Sequence, residues 1–227
     1  MTPFVKEHIA RQVIITNAGV NGHNTSDLLQ RLGSDVFAAY PQLVVLMVGT
    51  NDMLSPEKRI PVELFEKNYQ KLITEIKKHS ELILMTSPPV NTDYIFLRQD
   101  RKRYDDSGPE GMVRSANTII KRLASENSCP VIDIYAILQA CGGSGTDKNS
   151  LFQNEANTGN TDGVHPTANG YRVIATAVYQ AIMMLFPEVR NIICFGDSIT
   201  FGYQMPGQGT TEGDCYPAVL KRMMDLS

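Results

Sequence analysis

Five short apolar runs, separated by longer segments with helical periodicity, constrain the fold of this chain more than any other feature. Runs that are apolar almost throughout are typical of parallel strands covered on both faces by helices. Their alternation with helical segments predicts an α/β fold with a parallel sheet and right-handed crossovers. The predicted strands lie near residues 13–16, 43–48, 82–86, 131–134 and 191–195, and the predicted helices at about 25–38, 61–79, 110–127, 167–186 and 216–225.

The length and charge of the chain fit one domain without a nucleic-acid or membrane partner. A chain of 227 residues suits a single α/β unit, so we expect one domain over residues 1–227. The net charge of -3 gives no reason to expect binding to nucleic acid or to an anionic membrane. No apolar run reaches the ~20 residues of a membrane span. Residues 1–10 show no signal-peptide pattern, so the chain is cytoplasmic by default, or secreted or periplasmic if a leader was removed, and the compartment stays open.

The cysteine spacing predicts no metal site. Cys129, Cys141, Cys194 and Cys215 show neither a C-x-x-C motif nor zinc-finger spacing. We therefore expect a protein without a metal, while the spacing leaves the redox state of the four thiols open.

Four short polar motifs stand at the ends of the predicted elements. The motif GDSIT (196–200) directly follows the last apolar run, and a serine at the carboxyl end of such a strand is where an open α/β sheet presents a nucleophile. NAGVNG (17–22) and GTND (49–52) follow the first two apolar runs. DGVHP (162–166) precedes a predicted helix, in which Pro166 suits a first-turn position.

Together these four motifs resemble the four blocks of the SGNH (GDSL-type) hydrolases, and the resemblance covers essentially the whole chain. It implies a three-layer α/β/α, flavodoxin-like fold with a five-stranded parallel sheet. In that fold the serine strand is central, so the expected spatial order of strands is 13–16, 191–195, 43–48, 82–86 and 131–134. The resemblance also implies a serine esterase that needs no cofactor.

The order of the blocks departs from the family, in which the serine block comes first and the Asp-x-x-His block last. We interpret the order here as a circular permutation, in which the serine strand and the first helix have moved to residues 191–227. Residues 220–227 would then run on, in the usual order, into residues 1–11. The alternative is a fragment of a tandem array, which should exchange segments with a neighbouring chain. A permutant should instead assemble its site within a monomer, and whether the permutation is natural or engineered stays open.

Ester hydrolysis requires a nucleophile, a base and a group that orients the base. Ser198 is the candidate nucleophile, and His165 is the natural base among the four histidines. Asp162, three residues earlier, can reach the other imidazole nitrogen and fix its tautomer. A turn followed by a helix start is the structural alternative for the 162–166 motif. A histidine base must be neutral, so activity is expected to fall at acidic pH.

The resemblance also implies the donors of an oxyanion hole, namely the backbone amides of Ser198 and Gly22 and the side chain of Asn51. Glycine allows a close approach of the backbone to substrate, and a carboxamide is an uncharged donor. Taken singly, Gly22 is more often a turn residue and Asn51 a helix cap. The neighbouring acids Asp52 and Asp197 are expected to bond loop amides.

The substrate is predicted from composition. The loop-like stretches 90–111 and 141–160 are polar and lead toward the expected crevice, which favours a carbohydrate O-acetylesterase acting through an acyl-enzyme. A lipase, lysophospholipase or thioesterase of the same family is the enzymatic alternative. An inactive glycan-binding module is the alternative from another class, and the presence of all three triad residues argues against it.

Overall fold

The computed structural model describes residues 13–226, and its centre is a five-stranded parallel sheet. The strands are β1 (Ile14–Gly19), β2 (Leu43–Met47), β3 (Glu81–Met85), β4 (Val131–Ile132) and β5 (Asn191–Gly196). Their spatial order is β1-β5-β2-β3-β4, and every neighbouring pair is parallel. This order is the one expected from the sequence.

Ten α-helices accompany the sheet within the described part of the chain. They are α1 (Thr25–Asp35), α2 (Thr50–Leu54), α3 (Val62–Ile76), α4 (Thr92–Arg98), α5 (Gly108–Glu126), α6 (Ile134–Ala140), α7 (Glu155–Thr158), α8 (Ala168–Leu185), α9 (Ser198–Phe201) and α10 (Tyr216–Asp225). Two 3₁₀ turns, Phe37–Ala39 and Arg101–Arg103, complete the elements. None of these helices is both long and apolar enough to cross a membrane.

Two apolar cores, one on each face of the sheet, make the three layers. Alternate residues of β2 point to opposite faces: Val44 and Leu46 pack with α1, α3 and α5, whereas Val45 and Met47 pack with α8 and α10. All residues of β2 are buried, as expected for a strand covered on both sides. The helices therefore hold the sheet from both faces and leave its carboxyl edge free for function.

The carboxyl ends of three strands meet at that edge. Gly196 at the end of β5 is in register with Gly19 of β1 and with Met47 of β2. The segments that follow these strands, 20–24, 48–52 and 197–203, therefore emerge side by side. In open α/β folds, ligands bind at such an edge where the strand order changes direction, which here lies between β5 and β2.

Several predicted boundaries are wrong for local reasons. The strand predicted to reach residue 134 ends at Ile132, because the Asp133 side chain accepts from the Ala136 N–H and begins α6. Pro166 is not in the first turn of α8: Thr167 is the N-cap, and Pro166 forms an isolated bridge with Phe152. The loop-like stretches contain α4, one 3₁₀ turn and α7. The predicted continuation into residues 1–11 lies outside the described residues.

Candidate active site

Ser198 begins the short helix α9 directly after β5. The preceding Asp197 is the N-cap, and its side chain accepts from the Ile199 N–H at 2.9 Å. As the first helical residue, Ser198 has a backbone N–H that the helix itself does not bond. The serine hydroxyl and its own amide are thus presented together at the carboxyl edge of the sheet.

His165 and Asp162 lie on the loop of residues 162–165, which precedes α8. The Asp162 carboxylate accepts from the backbone N–H groups of Val164 at 2.8 Å and His165 at 2.7 Å. Its other oxygen lies 2.9 Å from His165 Nδ1, and His165 Nε2 lies 2.9 Å from Ser198 Oγ. With Nδ1–H donating to the carboxylate, Nε2 is left to accept the serine proton.

The environment keeps Asp162 ionised. Burial alone raises the pKa of its carboxyl, but the hydrogen bond and charge of His165 and the two loop amides outweigh burial, and the net pKa is lowered. A carboxylate that stays charged is what holds an imidazole in one tautomer and stabilises its protonated form.

The segment before α4 braces this loop from outside. Gly163 has φ +67°, and a Cβ at this position would lie 2.6 Å from the Asn91 Cβ. The Asn91 N–H donates to the Gly163 carbonyl at 2.7 Å. The loop around residue 90 therefore supports the site indirectly, because it packs against the 162–165 loop.

Gly22 and Asn51 lie on the other side, after β1 and in α2. Gly22 has φ +75°, a Cβ there would meet nothing within 4 Å, and its N–H has no hydrogen-bond partner among residues 13–226. The Asn51 side chain is not a helix cap: Gly49 is the N-cap of α2, and Asn51 Nδ2 donates to the His23 carbonyl at 2.9 Å. That bond uses one of the two amide hydrogens of Asn51 and orients the second.

The two neighbouring acids bond backbone amides, but these amides lie at the starts of α1 and α9 and not in loops. Asp52 is fully buried and accepts from the backbone N–H and the hydroxyl of Thr25, which ties α2 to the start of α1. Burial raises the pKa of Asp52 to about 6, against the hydrogen bonds from Thr25. Burial likewise raises the pKa of Asp197 to about 7, against its backbone hydrogen bond and the nearby His165.

Arg31 of α1 is a residue that the sequence did not reveal. Its guanidinium donates to the carbonyls of Ala18 at 2.9 Å and Gly196 at 2.7 Å, and it stacks on the Phe195 ring. Its Nε donates to His23 Nδ1 at 3.1 Å. Burial and the Arg31 charge together lower the pKa of His23. His23 is therefore a neutral, anchored residue of the loop beside Gly22.

Two further residues at the site, Tyr203 and Gln153, were also not predicted from the sequence. The Tyr203 ring lies against the His165 imidazole, with ring centroids 4.7 Å apart. Gln153 is buried between the 162–165 loop and the segment around Tyr203. Neither stands in a recognisable motif. Within residues 13–226, no group of three or more His, Cys, Asp or Glu side chains is arranged to hold a metal ion.

A parallel α/β sheet with serine, histidine and carboxylate hydrogen-bonded in sequence at its carboxyl edge has the architecture of a serine hydrolase. The model of the GDSL-like lipase/acylhydrolase family matches residues 3–173, which is most of the chain. The chain belongs to this family and is an esterase or acylhydrolase. Ser198 lies beyond the matched range.

Curated relatives and solved structures agree with this assignment. An uncharacterised lipoprotein of Bacillus subtilis (strain 168) is 29% identical over 172 residues, with 70% of each chain covered. An acetylxylan esterase of Geobacillus stearothermophilus is 25% identical over 178 residues, covering 74% of this chain and 71% of the relative. The structure of the acetyl xylan esterase AlAXEase superposes with a TM-score of 0.57 at 26% identity, covering 73% of this chain and 79% of that chain. A lipase/acylhydrolase from Enterococcus faecalis shares the fold, with a TM-score of 0.57 at 22% identity over 75% of this chain and 74% of that chain.

Proposed function

We propose that Ser198, His165 and Asp162 are the catalytic triad of this esterase. The observation that carries the proposal is the unbroken hydrogen-bonded chain from the Asp162 carboxylate through the imidazole to the serine hydroxyl, with both imidazole nitrogens at 2.9 Å from their partners. Geometry of this kind activates a hydroxyl that is otherwise unreactive.

The reaction proceeds through a covalent acyl-enzyme. Ser198 Oγ attacks the ester carbonyl while His165 Nε2 accepts its proton. The protonated imidazole, stabilised by Asp162, then gives that proton to the leaving alcohol. Water enters, loses a proton to His165 and attacks the acyl-enzyme, which releases the acid and regenerates the serine.

The oxyanion that forms in each step takes its donors from three segments. These are the backbone N–H groups of Ser198 and Gly22 and the second amide hydrogen of Asn51. Two observations support this assignment: the Gly22 N–H has no partner among the residues that the structure describes, and the His23 carbonyl orients the Asn51 amide. Such preorganised donors stabilise the transition state by about 3 kcal/mol each.

The substrate that we propose is an O-acetylated carbohydrate. The similarity to acetylxylan esterases supports this class. A polar surface groove of about 570 Å³ is lined by Thr167, two residues after His165, and by Met205, two residues after Tyr203, although neither Ser198 nor His165 lines it. Side chains that can bond sugar hydroxyls line this groove: Asn149, Asn157, Thr158, Asn169, Arg172 and Asp214.

Two measurements test the proposal. A fluorophosphonate should label the wild-type protein and fail to label Ser198→Ala. Acetylated xylan should be deacetylated, and the rate on p-nitrophenyl esters should fall as the acyl chain is lengthened from acetyl to octanoyl. Labelling of Ser198→Ala would remove the serine from the mechanism. A rate that rises with acyl length would favour a lipase, and labelled protein that hydrolyses no ester would contradict the carbohydrate esterase.

We also propose that the chain is one permuted domain that is active as a monomer. The connection at residues 187–190 supports this, because the Ile14 N–H donates to the Arg190 carbonyl and the Asn191 side chain bonds the carbonyls of Ala39 and Tyr40. Size-exclusion with light scattering on active protein tests it. Activity confined to dimers or larger species would favour exchange between chains.

A further inference from the structure

Gln153 connects two parts of the site that are far apart in the sequence. It is 1% exposed. Its backbone bonds the 162–165 loop at two points: the Gln153 N–H donates to the His165 carbonyl and the Gly163 N–H donates to the Gln153 carbonyl, each at 2.9 Å. The main chain of Gln153 thus holds the loop that carries the base and its carboxylate.

The side chain of Gln153 reaches from this loop to the serine. Its Nε2 donates to the Pro166 carbonyl and to the Tyr203 carbonyl, each at 3.2 Å. Both partners are acceptors only, so the amide must present its NH₂ group to them. The Tyr203 N–H in turn donates to the Ser198 carbonyl at 3.1 Å. One buried amide therefore joins the residue after His165 to the turn that begins at Ser198.

We propose that Gln153 is a positioning residue that fixes the His165 imidazole relative to the Ser198 hydroxyl. The proposal rests on the proposed function and deepens it. Without the amide, Asp162 and His165 remain joined by the bonds of their own loop. The link between these two residues and the turn that begins at Ser198 then depends on the hydrogen bond from His165 to Ser198 and on the contact between the His165 and Tyr203 rings. A displacement of about 1 Å between reacting groups lowers a rate by roughly 100-fold.

The chain offers a matched control one residue away. Asn154 is fully buried, and its Nδ2 also donates to two backbone carbonyls, those of Gly145 at 3.1 Å and Asp147 at 2.8 Å. Those bonds hold the 145–147 segment and do not reach the serine turn. Gln153→Met and Asn154→Leu each replace a carboxamide by an apolar side chain of similar size.

Hydrolysis of p-nitrophenyl acetate is measured per active site, with sites titrated by a fluorophosphonate. Gln153→Met should lower kcat by roughly 10- to 100-fold while KM changes by less than about twofold. The pH at which activity reaches half of its plateau should not move, because the Asp162–His165 pair is intact. Asn154→Leu should lower the melting temperature at least as much and keep kcat within about threefold of wild type.

Three results would overturn the role of Gln153: a Gln153→Met kcat within about threefold of wild type, an equal loss in Asn154→Leu, or a shifted pH midpoint in Gln153→Met. If Gln153→Met does not fold, Gln153→Glu preserves the shape but cannot donate two hydrogen bonds, and the same kcat thresholds apply; the pH midpoint is not compared, because the new carboxylate would itself shift the pKa of His165. If Ser198→Ala is inactive while Gln153→Met is normal, only the positioning role fails. If Ser198→Ala keeps activity, the proposed function fails with it.

Discussion

The two sides of the proposed active site are built differently. On one side, Asp162, His165 and Ser198 are already joined by hydrogen bonds of 2.9 Å, and the loop that carries two of them is braced by its neighbours. On the other side, Gly22 is exposed and its N–H has no partner in the described part of the chain, while Asn51 bonds the His23 carbonyl through one of its two amide hydrogens.

The two sides act at different stages of the proposed reaction, and this accounts for the difference between them. The proposed triad must be aligned before substrate arrives, because the base has to accept a proton as the bond forms. Oxyanion donors are instead satisfied only by a charge that develops during the reaction, so in the resting protein they stay open. The hydrogen bonds of the triad side are therefore already formed and, within the described residues, the donors of the oxyanion side are still available. This contrast is expected of an enzyme that binds the transition state more tightly than the substrate.

Substitutions on the triad side should have the largest effect on kcat. Ser198→Ala and His165→Ala should each lower kcat for p-nitrophenyl acetate by roughly 10⁴- to 10⁶-fold, because each removes a member of a unit that acts together. The double variant should be no slower than either single one by more than about tenfold. Circular dichroism checks that the fold is kept. Near-normal turnover in either variant would contradict the triad.

Substitution of Asn51 on the oxyanion side should have an intermediate effect on kcat. Asn51→Ala should lower kcat by roughly 10²- to 10³-fold with little change in KM, because the lost donor acts in the transition state. Asn127→Ala is the control, since Asn127 also donates from Nδ2 to a backbone carbonyl, that of Leu123, and lies at the end of α5. Equal losses in the two variants would show that Asn51 acts only through the fold.

A smaller effect is expected at Gly22. Gly22→Ala keeps the backbone N–H and places its Cβ in open space, but the positive φ strains an L residue by about 1–2 kcal/mol. Unfolding in urea should show that loss, and kcat should fall less than in Asn51→Ala. A larger fall in kcat than in Asn51→Ala would mean that the backbone conformation at Gly22 dominates oxyanion binding.

The effect with the least influence on kcat is a change of stability with pH, which differs between the two sides. The raised pKa of Asp52 means that its contribution to stability is present at low pH and is lost as pH rises from the ordinary 3.8 to about 6. Asp52→Asn should therefore gain stability relative to wild type over that range, by up to about 3 kcal/mol in the free energy of unfolding. The lowered pKa of Asp162 works oppositely: its contribution is lost as pH falls. A pH-independent difference for Asp52→Asn would contradict the shift.

The sequence predicted the sheet well because its signals are local. Each strand is a short apolar run, and the polar motifs follow strands whose ends a parallel sheet brings to one edge. The short helices α2, α7 and α9 were missed because four or five residues carry no periodicity. Pro166 was misassigned because its bridge to Phe152 is a tertiary contact.

The supporting residues of the site could not be predicted for a related reason. Arg31 bonds carbonyls 13 and 165 positions away, and the Gln153 side chain reaches a carbonyl 50 positions away. A lone arginine on a helix, or a glutamine between Phe152 and Asn154, has no pattern that distinguishes it from a solvated residue. The chemistry of the triad is readable from residue types, whereas its alignment depends on distant backbone.

The central position of β5 has a consequence for synthesis on the ribosome. Its two neighbours, β1 and β2, both precede residue 48, whereas β5 begins at Asn191. At a synthesis rate of 5–20 residues per second, β5 is made on the order of ten seconds after β1 and β2, between which it lies in the folded sheet. During that time each has an unpaired edge, which is a template for pairing with the wrong chain. The nascent protein is thus most exposed to aggregation just before Ser198, the proposed nucleophile, emerges.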